Sequence, residues 1–199
     1  MGRPTNIEMR RAQVADALVG LLADQSFENI TIAEMAKAAG VRPGLVHHYF
    51  GNKDEVLDVA VERLTLLLEM RLTERLRRAG DDPRARIDAV IDAWLAPGDG
   101  AEPRAARAWV AIGDEARKRP EVGSSYGAAI GRVMDRVLLE VNRVIPPRNR
   151  RSQVIAQAIV VAIEGALRVG AGGGLQPGAA APMVRAVAAA MLNDAAAGS

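Results

Sequence analysis

Cysteine is absent from the 199 residues, and histidine and aromatic side chains are scarce: two His, two Trp, two Tyr and two Phe. Without cysteine there is no disulfide, thiolate zinc site or thiol nucleophile, as suits a reducing cytosol. Two histidines build little of a metal centre, so no metal and no cofactor is expected. A charge excess is also lacking. Twenty-six Lys and Arg face 24 Asp and Glu, a formal charge of +2, which permits a nucleic-acid partner without announcing one. Long hydrophobic runs are missing too. The longest uncharged apolar stretch, Val154 to Ile163, spans ten residues, against the ~20 of a membrane span. No transmembrane helix and no membrane partner is therefore expected. Met1-Gly2-Arg3-Pro4-Thr5-Asn6 lacks the apolar run of a secretory signal, which points to the cytoplasm.

What is present is helical. Apolar residues make up 49% of the chain and recur at three and four, while β-branched runs between turn signals are few. The pattern predicts an all-α chain of about nine helices. The first covers about 7–24, with Val14, Leu18, Leu21 and Leu22 on one stripe. Thr31 then stands as N-cap with Glu34 three residues on, the two halves of a capping box, and Ile30 is placed to staple against Met35. Gly40 can take the left-handed conformation that stops a helix, with Val41 a buried turn residue behind it. Pro43 suits the first position of the next helix, on which Leu45, Val46 and Phe50 are expected to face the core. Two short helices about a glycine turn form a helix-turn-helix or an ordinary αα-hairpin. Asn52 caps a long helix that reaches about Ala79, and Gly80-Asp81-Asp82-Pro83 breaks it. Further helices are expected at about 83–95, 102–118, 121–145, 149–169 and 180–196.

From Thr31 to Lys53 the chain reads TIAEMAKAAGVRPGLVHHYFGNK and continues DEVL. It resembles the helix-turn-helix signature of the TetR family of bacterial transcriptional regulators, over about residues 7–60. The HYFGNKD segment and Arg107-Ala108-Trp109 are also similar to the branch containing the choline and betaine regulators. The resemblance implies a three-helix DNA-binding head, residues 1–52, and a helical effector-binding and dimerisation domain, 53–199. It also implies that positions matching Thr31, Arg42, Gly44, His47, His48, Tyr49 and Lys53 contact double-stranded operator DNA. Arg42 has the fork that suits guanine O6 and N7. Pro43 departs from the polar or basic residue of many relatives, which leaves packing on a thymine methyl or a sugar. Arg3 resembles the basic arms that some relatives lay in the minor groove; a disordered tail is the alternative. Tyr49 fits either a phosphate contact or partial burial. Residues 1–55 carry six Lys and Arg (3, 10, 11, 37, 42, 53) against seven acids (8, 16, 24, 28, 34, 54, 55), so binding depends on placement, with Arg3, Arg10, Arg11, Arg42 and Lys53 toward DNA and steep salt dependence.

Several catalytic-looking patterns fail their own requirements. Gly123-Ser124-Ser125-Tyr126-Gly127 matches G-x-S-x-G, yet no strand precedes it and both histidines come earlier in the chain. The glycines of 170–174 lack the Lys-Ser/Thr of a phosphate loop. His47 and His48 are adjacent, so on a helix they diverge by about 100° and do not converge on one ion. The protein is accordingly not expected to be an enzyme.

Trp94, Trp109, Tyr126, Met134 and Glu164 are candidate walls of a pocket for an unidentified small-molecule effector, each equally compatible with core packing. The last two helices are apolar on more than one face. A homodimer interface is therefore expected through Val154, Ala158, Val161 and Gly165, then Val184, Val187, Ala188, Met191 and Leu192. The sequence thus reads as a ligand-responsive repressor on a palindromic operator. Two readings stand beside it: a helical small-molecule-binding dimer without specific operator recognition, and a helical enzyme using the central pocket.

Overall fold

A computed structural model describes residues 6–96, 103–145, 150–175 and 178–197. Those residues form nine α-helices and one 3-10 turn, and no strand occurs among them. The helices are α1 (Asn6–Leu22), α2 (Ile32–Ala38), α3 (Pro43–Tyr49), α4 (Lys53–Ala79), α5 (Pro83–Leu95), α6 (Pro103–Ala116), α7 (Pro120–Val144), α8 (Arg150–Ala171) and α9 (Ala180–Ala197). The 3-10 turn, Phe27–Asn29, lies between α1 and α2.

Local chemistry explains the boundaries. The Thr31 hydroxyl accepts from the Glu34 N–H, and the Glu34 carboxylate accepts from the Thr31 N–H at 2.7 Å, closing the capping box of α2. Gly40 stops α2 with φ +66°, a left-handed value costly for any residue with a Cβ. Asp82 caps α5 by accepting from the Arg84 N–H, with Pro83 at the first helical position. Pro120 likewise opens α7.

Two compact units result. The first comprises Met1–Leu67 and Pro103–Ala128, so α6 and the first turns of α7 belong with the head. Its core holds Val14, Leu18, Phe27, Ile30, Met35, Val46, Leu57 and Trp109, each almost wholly buried. The second unit comprises Leu68–Glu102 and Ala129–Ser199, with α8 and α9 packed on each other and on α5. In it, the Arg86 fork grips the fully buried Glu140 carboxylate at 2.8 and 2.9 Å, and Arg143 adds a contact at 3.0 Å. Arg185 on α9 donates from a single nitrogen, Nη1, to both carboxylate oxygens of Asp92 on α5, at 2.6 and 2.7 Å.

Several expectations need correcting. Leu45 is not in the core: it is 37% exposed on α3, and Val41 is only half-buried. Val184, Ala188 and Leu192 do not face outward; with Ala181 and Ala195 they form the buried stripe of α9, at most 2% exposed. Helix α8, by length and composition alone, is long and apolar enough to cross a membrane, contrary to the reading from its uncharged stretch. Here Ile155, Ile159, Ile163 and Leu167 fill the core instead.

Candidate nucleic-acid interface

Helix α3 is short, and its seven residues make two turns. Val46 anchors it in the core, and Phe50 follows as the buried C-cap, its N–H donating to the Val46 carbonyl at 2.9 Å. That fixes which side of α3 is free. Arg42, Pro43, Gly44, Leu45, His47 and His48 are exposed together, and Tyr49 is half-buried with its ring edge-on to that of His48, centroids 5.2 Å apart. Arg42 occupies the N-cap position, yet its side chain does not cap the helix. A guanidinium has donors and no acceptor, so it could not serve as that cap. A Cβ built on Gly44 would meet nothing within 4 Å. Packing inside the chain thus does not require glycine there.

Three residues expected at DNA are instead engaged within the head. Lys53 sends its ammonium to the Phe27 carbonyl and stands 4.2 Å from the Phe27 ring centroid. Burial, reinforced by nearby Arg119, pushes the Lys53 pKa below its ordinary value. Arg11 donates to the Tyr49 carbonyl and to Glu55 at 2.7 Å, and its guanidinium lies 4.4 Å from the Phe50 ring centroid. Together these contacts clamp the C-terminal end of α3. The Thr31 hydroxyl also donates to the Glu34 carboxylate, at 2.8 Å. Both hydrogen-bond donors of Thr31 are thereby used within the capping box. Backbone and hydroxyl donation from Thr31 pulls the Glu34 pKa down.

Arg10 is exposed, with a 2.8 Å bond to Gln13. Lys37, which the sequence reading did not single out, is exposed in the last turn of α2. Its place on the helix preceding the turn is the available signal, since first helices of this motif cross the phosphate backbone. Arg3 lies outside the described residues.

The candidate effector residues separate. In the first unit, Trp109 of α6 and Tyr126 of α7 lie against each other with centroids 4.7 Å apart and ring planes inclined at 35°. Gly113 makes room for this, because a Cβ there would stand 3.0 Å from the Tyr126 hydroxyl. In the second unit, Trp94 is buried in α5, while Met134 and Glu164 are half-buried. Of the expected dimer residues, Val154, Val161, Gly165 and Val187 are exposed, and Ala158 and Met191 half-buried. No group of His, Asp or Glu able to hold a metal occurs among the described residues.

Comparison with known proteins agrees with this architecture. Residues 14–60 match the family of bacterial regulatory proteins named tetR, and residues 83–193 match the C-terminal domain of BetI-type transcriptional repressors. The HTH-type transcriptional regulator BetI of Stenotrophomonas maltophilia is 28% identical over 157 residues, 79% of each chain. That of Rhizobium meliloti is 29% identical over 157 residues, 79% of this chain and 75% of the relative. A transcriptional regulator from Rhodococcus sp. Rha1 has the same fold, with TM-score 0.80, 24% identity and coverage of 96% and 98%. Another, from Saccharomonospora viridis and solved in complex with choline, has TM-score 0.74, 19% identity and coverage of 92% and 93%.

Proposed function

Since the chain belongs to the TetR family, is a DNA-binding transcriptional regulator and carries a BetI-type repressor C-terminal domain, we propose that it acts as a homodimeric repressor. It occupies an inverted-repeat operator in the cytoplasm and leaves when a small molecule binds. The observation that carries this reading is the exposed face of α3, with Arg42 at its N-cap. DNA reading falls to residues 1–52, effector binding and dimerisation to 53–199. In a two-fold dimer the two copies of α3 meet half-sites about 34–36 Å apart, or a multiple of that.

Dimerisation is assigned to the outward apolar faces of α8 and α9: Val154, Ala158, Val161 and Gly165 on the first, Met183, Val187 and Met191 on the second. These residues leave apolar surface in water that a second copy would cover. For the effector, we take a quaternary ammonium compound, the class of the choline held by the relative of like fold. The ring pair does not carry this choice, because Trp109 is 1% exposed and packed on Tyr126 in the core of the first unit.

Mobility shifts with genomic fragments test the reading. Specific, salt-sensitive binding is expected, weakened by about 1–3 kcal/mol in Arg42→Ala and reversed by choline. Salt-sensitive but sequence-indifferent binding would overturn operator recognition, and release unaffected by quaternary ammonium compounds would overturn the effector class.

A further inference from the structure

The opening turn of α3 is nearly devoid of hydrogen-bonding groups. Pro43 has no N–H and Gly44 no side chain, and the Leu45 N–H donates to the Arg42 carbonyl at 2.9 Å. Leu45 then leaves part of an apolar side chain, 37% exposed, on the face that also carries the exposed Arg42, Gly44 and His48. In a helix-turn-helix it is the N-terminal residues of this helix that reach base edges. Those edges in the major groove present acceptors, donors and one apolar projection, the 5-methyl group of thymine. A leucine pressed on an acceptor or amino group would strip its water and return no hydrogen bond. Against a methyl group the same contact is favourable. The open space at Gly44, where even a Cβ would meet nothing within 4 Å, leaves room for a base edge to come close between Pro43 and Leu45.

We propose that Leu45 is a specificity-determining residue that selects thymine through its 5-methyl group, beside the base read by Arg42. This rests on α3 being the recognition helix. The bland account of Leu45 is an ordinary exposed leucine, of which folded proteins carry many, and the test separates the two.

The full-length protein is used to select an operator from random duplex DNA, and each thymine of a half-site is then replaced by deoxyuridine. That change removes one methyl group and keeps every hydrogen bond. At one position per half-site, wild-type affinity is expected to fall about 4-fold, the worth of one buried methyl group, while Leu45→Ala binds the two DNAs within 2-fold of each other. Equal deoxyuridine sensitivity in wild type and Leu45→Ala, no sensitive position, or a selected half-site without thymine would each overturn the assignment. Arg42→Ala serves as the control for the underlying reading. If it weakens binding while deoxyuridine does not, only the role of Leu45 fails; if selection returns no preferred sequence, the recognition-helix reading fails with it.

Discussion

The Arg119 guanidinium lies 4.8 Å from the centroid of the Phe27 ring, on which Lys53 also rests. Arg119 bonds Asp54 at 3.0 Å and Glu115 as well, and its neighbour Lys118 reaches Glu28 at 3.0 Å. The turn between α6 and α7 therefore holds the 3-10 turn and the start of α4, the supports of the helix-turn-helix. Arg119→Ala is expected to lower stability by about 2 kcal/mol in urea unfolding, the scale of hydrogen bonds to charged groups. Arg119→Lys should recover little, because an ammonium cannot both stack on the ring and fork between two carboxylates. Full recovery by lysine would show that charge alone matters.

Gly44→Ala separates folding from binding. In the free protein the added methyl group meets nothing, so helix propensity should raise stability by about 0.5–1 kcal/mol. Operator affinity should fall, because that methyl stands where the base edges approach. Higher stability with unchanged affinity would contradict close approach at this residue.

On the proposed dimer face, Val161 is 69% exposed. Val161→Asp should lower the sedimentation mass while leaving helical circular dichroism intact. Leu192→Asp places a charge in the core of the second unit and should cost more than about 3 kcal/mol in stability. A Val161→Asp protein still dimeric at micromolar concentration would remove this face from the interface.

Acid should loosen the head. Glu34 is held below its ordinary value of 4.5 by Thr31, and Glu55 by the Gly51 N–H and then Arg11. A carboxylate lowered on folding lends stability that is fully present above its unfolded pKa and disappears as the pH falls through its folded value. The melting temperature should accordingly begin to drop below about pH 4.5, and less steeply in the double variant Glu34→Gln, Glu55→Gln. Identical pH profiles would show that these two groups do not carry the effect.

Helix boundaries were legible in the sequence because caps and breakers act locally: Thr31, Gly40, Pro43, Pro83 and Pro120 mark them within a residue or two. Orientation was less legible. On a helix of seven residues, one position changes direction by about 100°, and three apolar candidates at 45, 46 and 50 left the buried side of α3 ambiguous. Alanine on every side of α9 blurred its inner stripe in the same way. The partners of the cations of the head were illegible for a different reason. Lys53 finds Phe27 26 residues away and Arg11 finds Glu55 44 away, partners that only the folded chain brings near.

The fully buried Glu140, held by Arg86 from another helix, has a consequence for descent. Removing Arg86 breaks the two-pronged grip and leaves the buried carboxylate to Arg143 and Arg136, and removing Glu140 leaves Arg86 without its partner, a cost of up to about 3–5 kcal/mol, whereas apolar replacement of both together can be neutral. Descendants of this gene should therefore keep the two residues jointly or shed them jointly, and a lineage caught with one alone would need compensation before its next substitution.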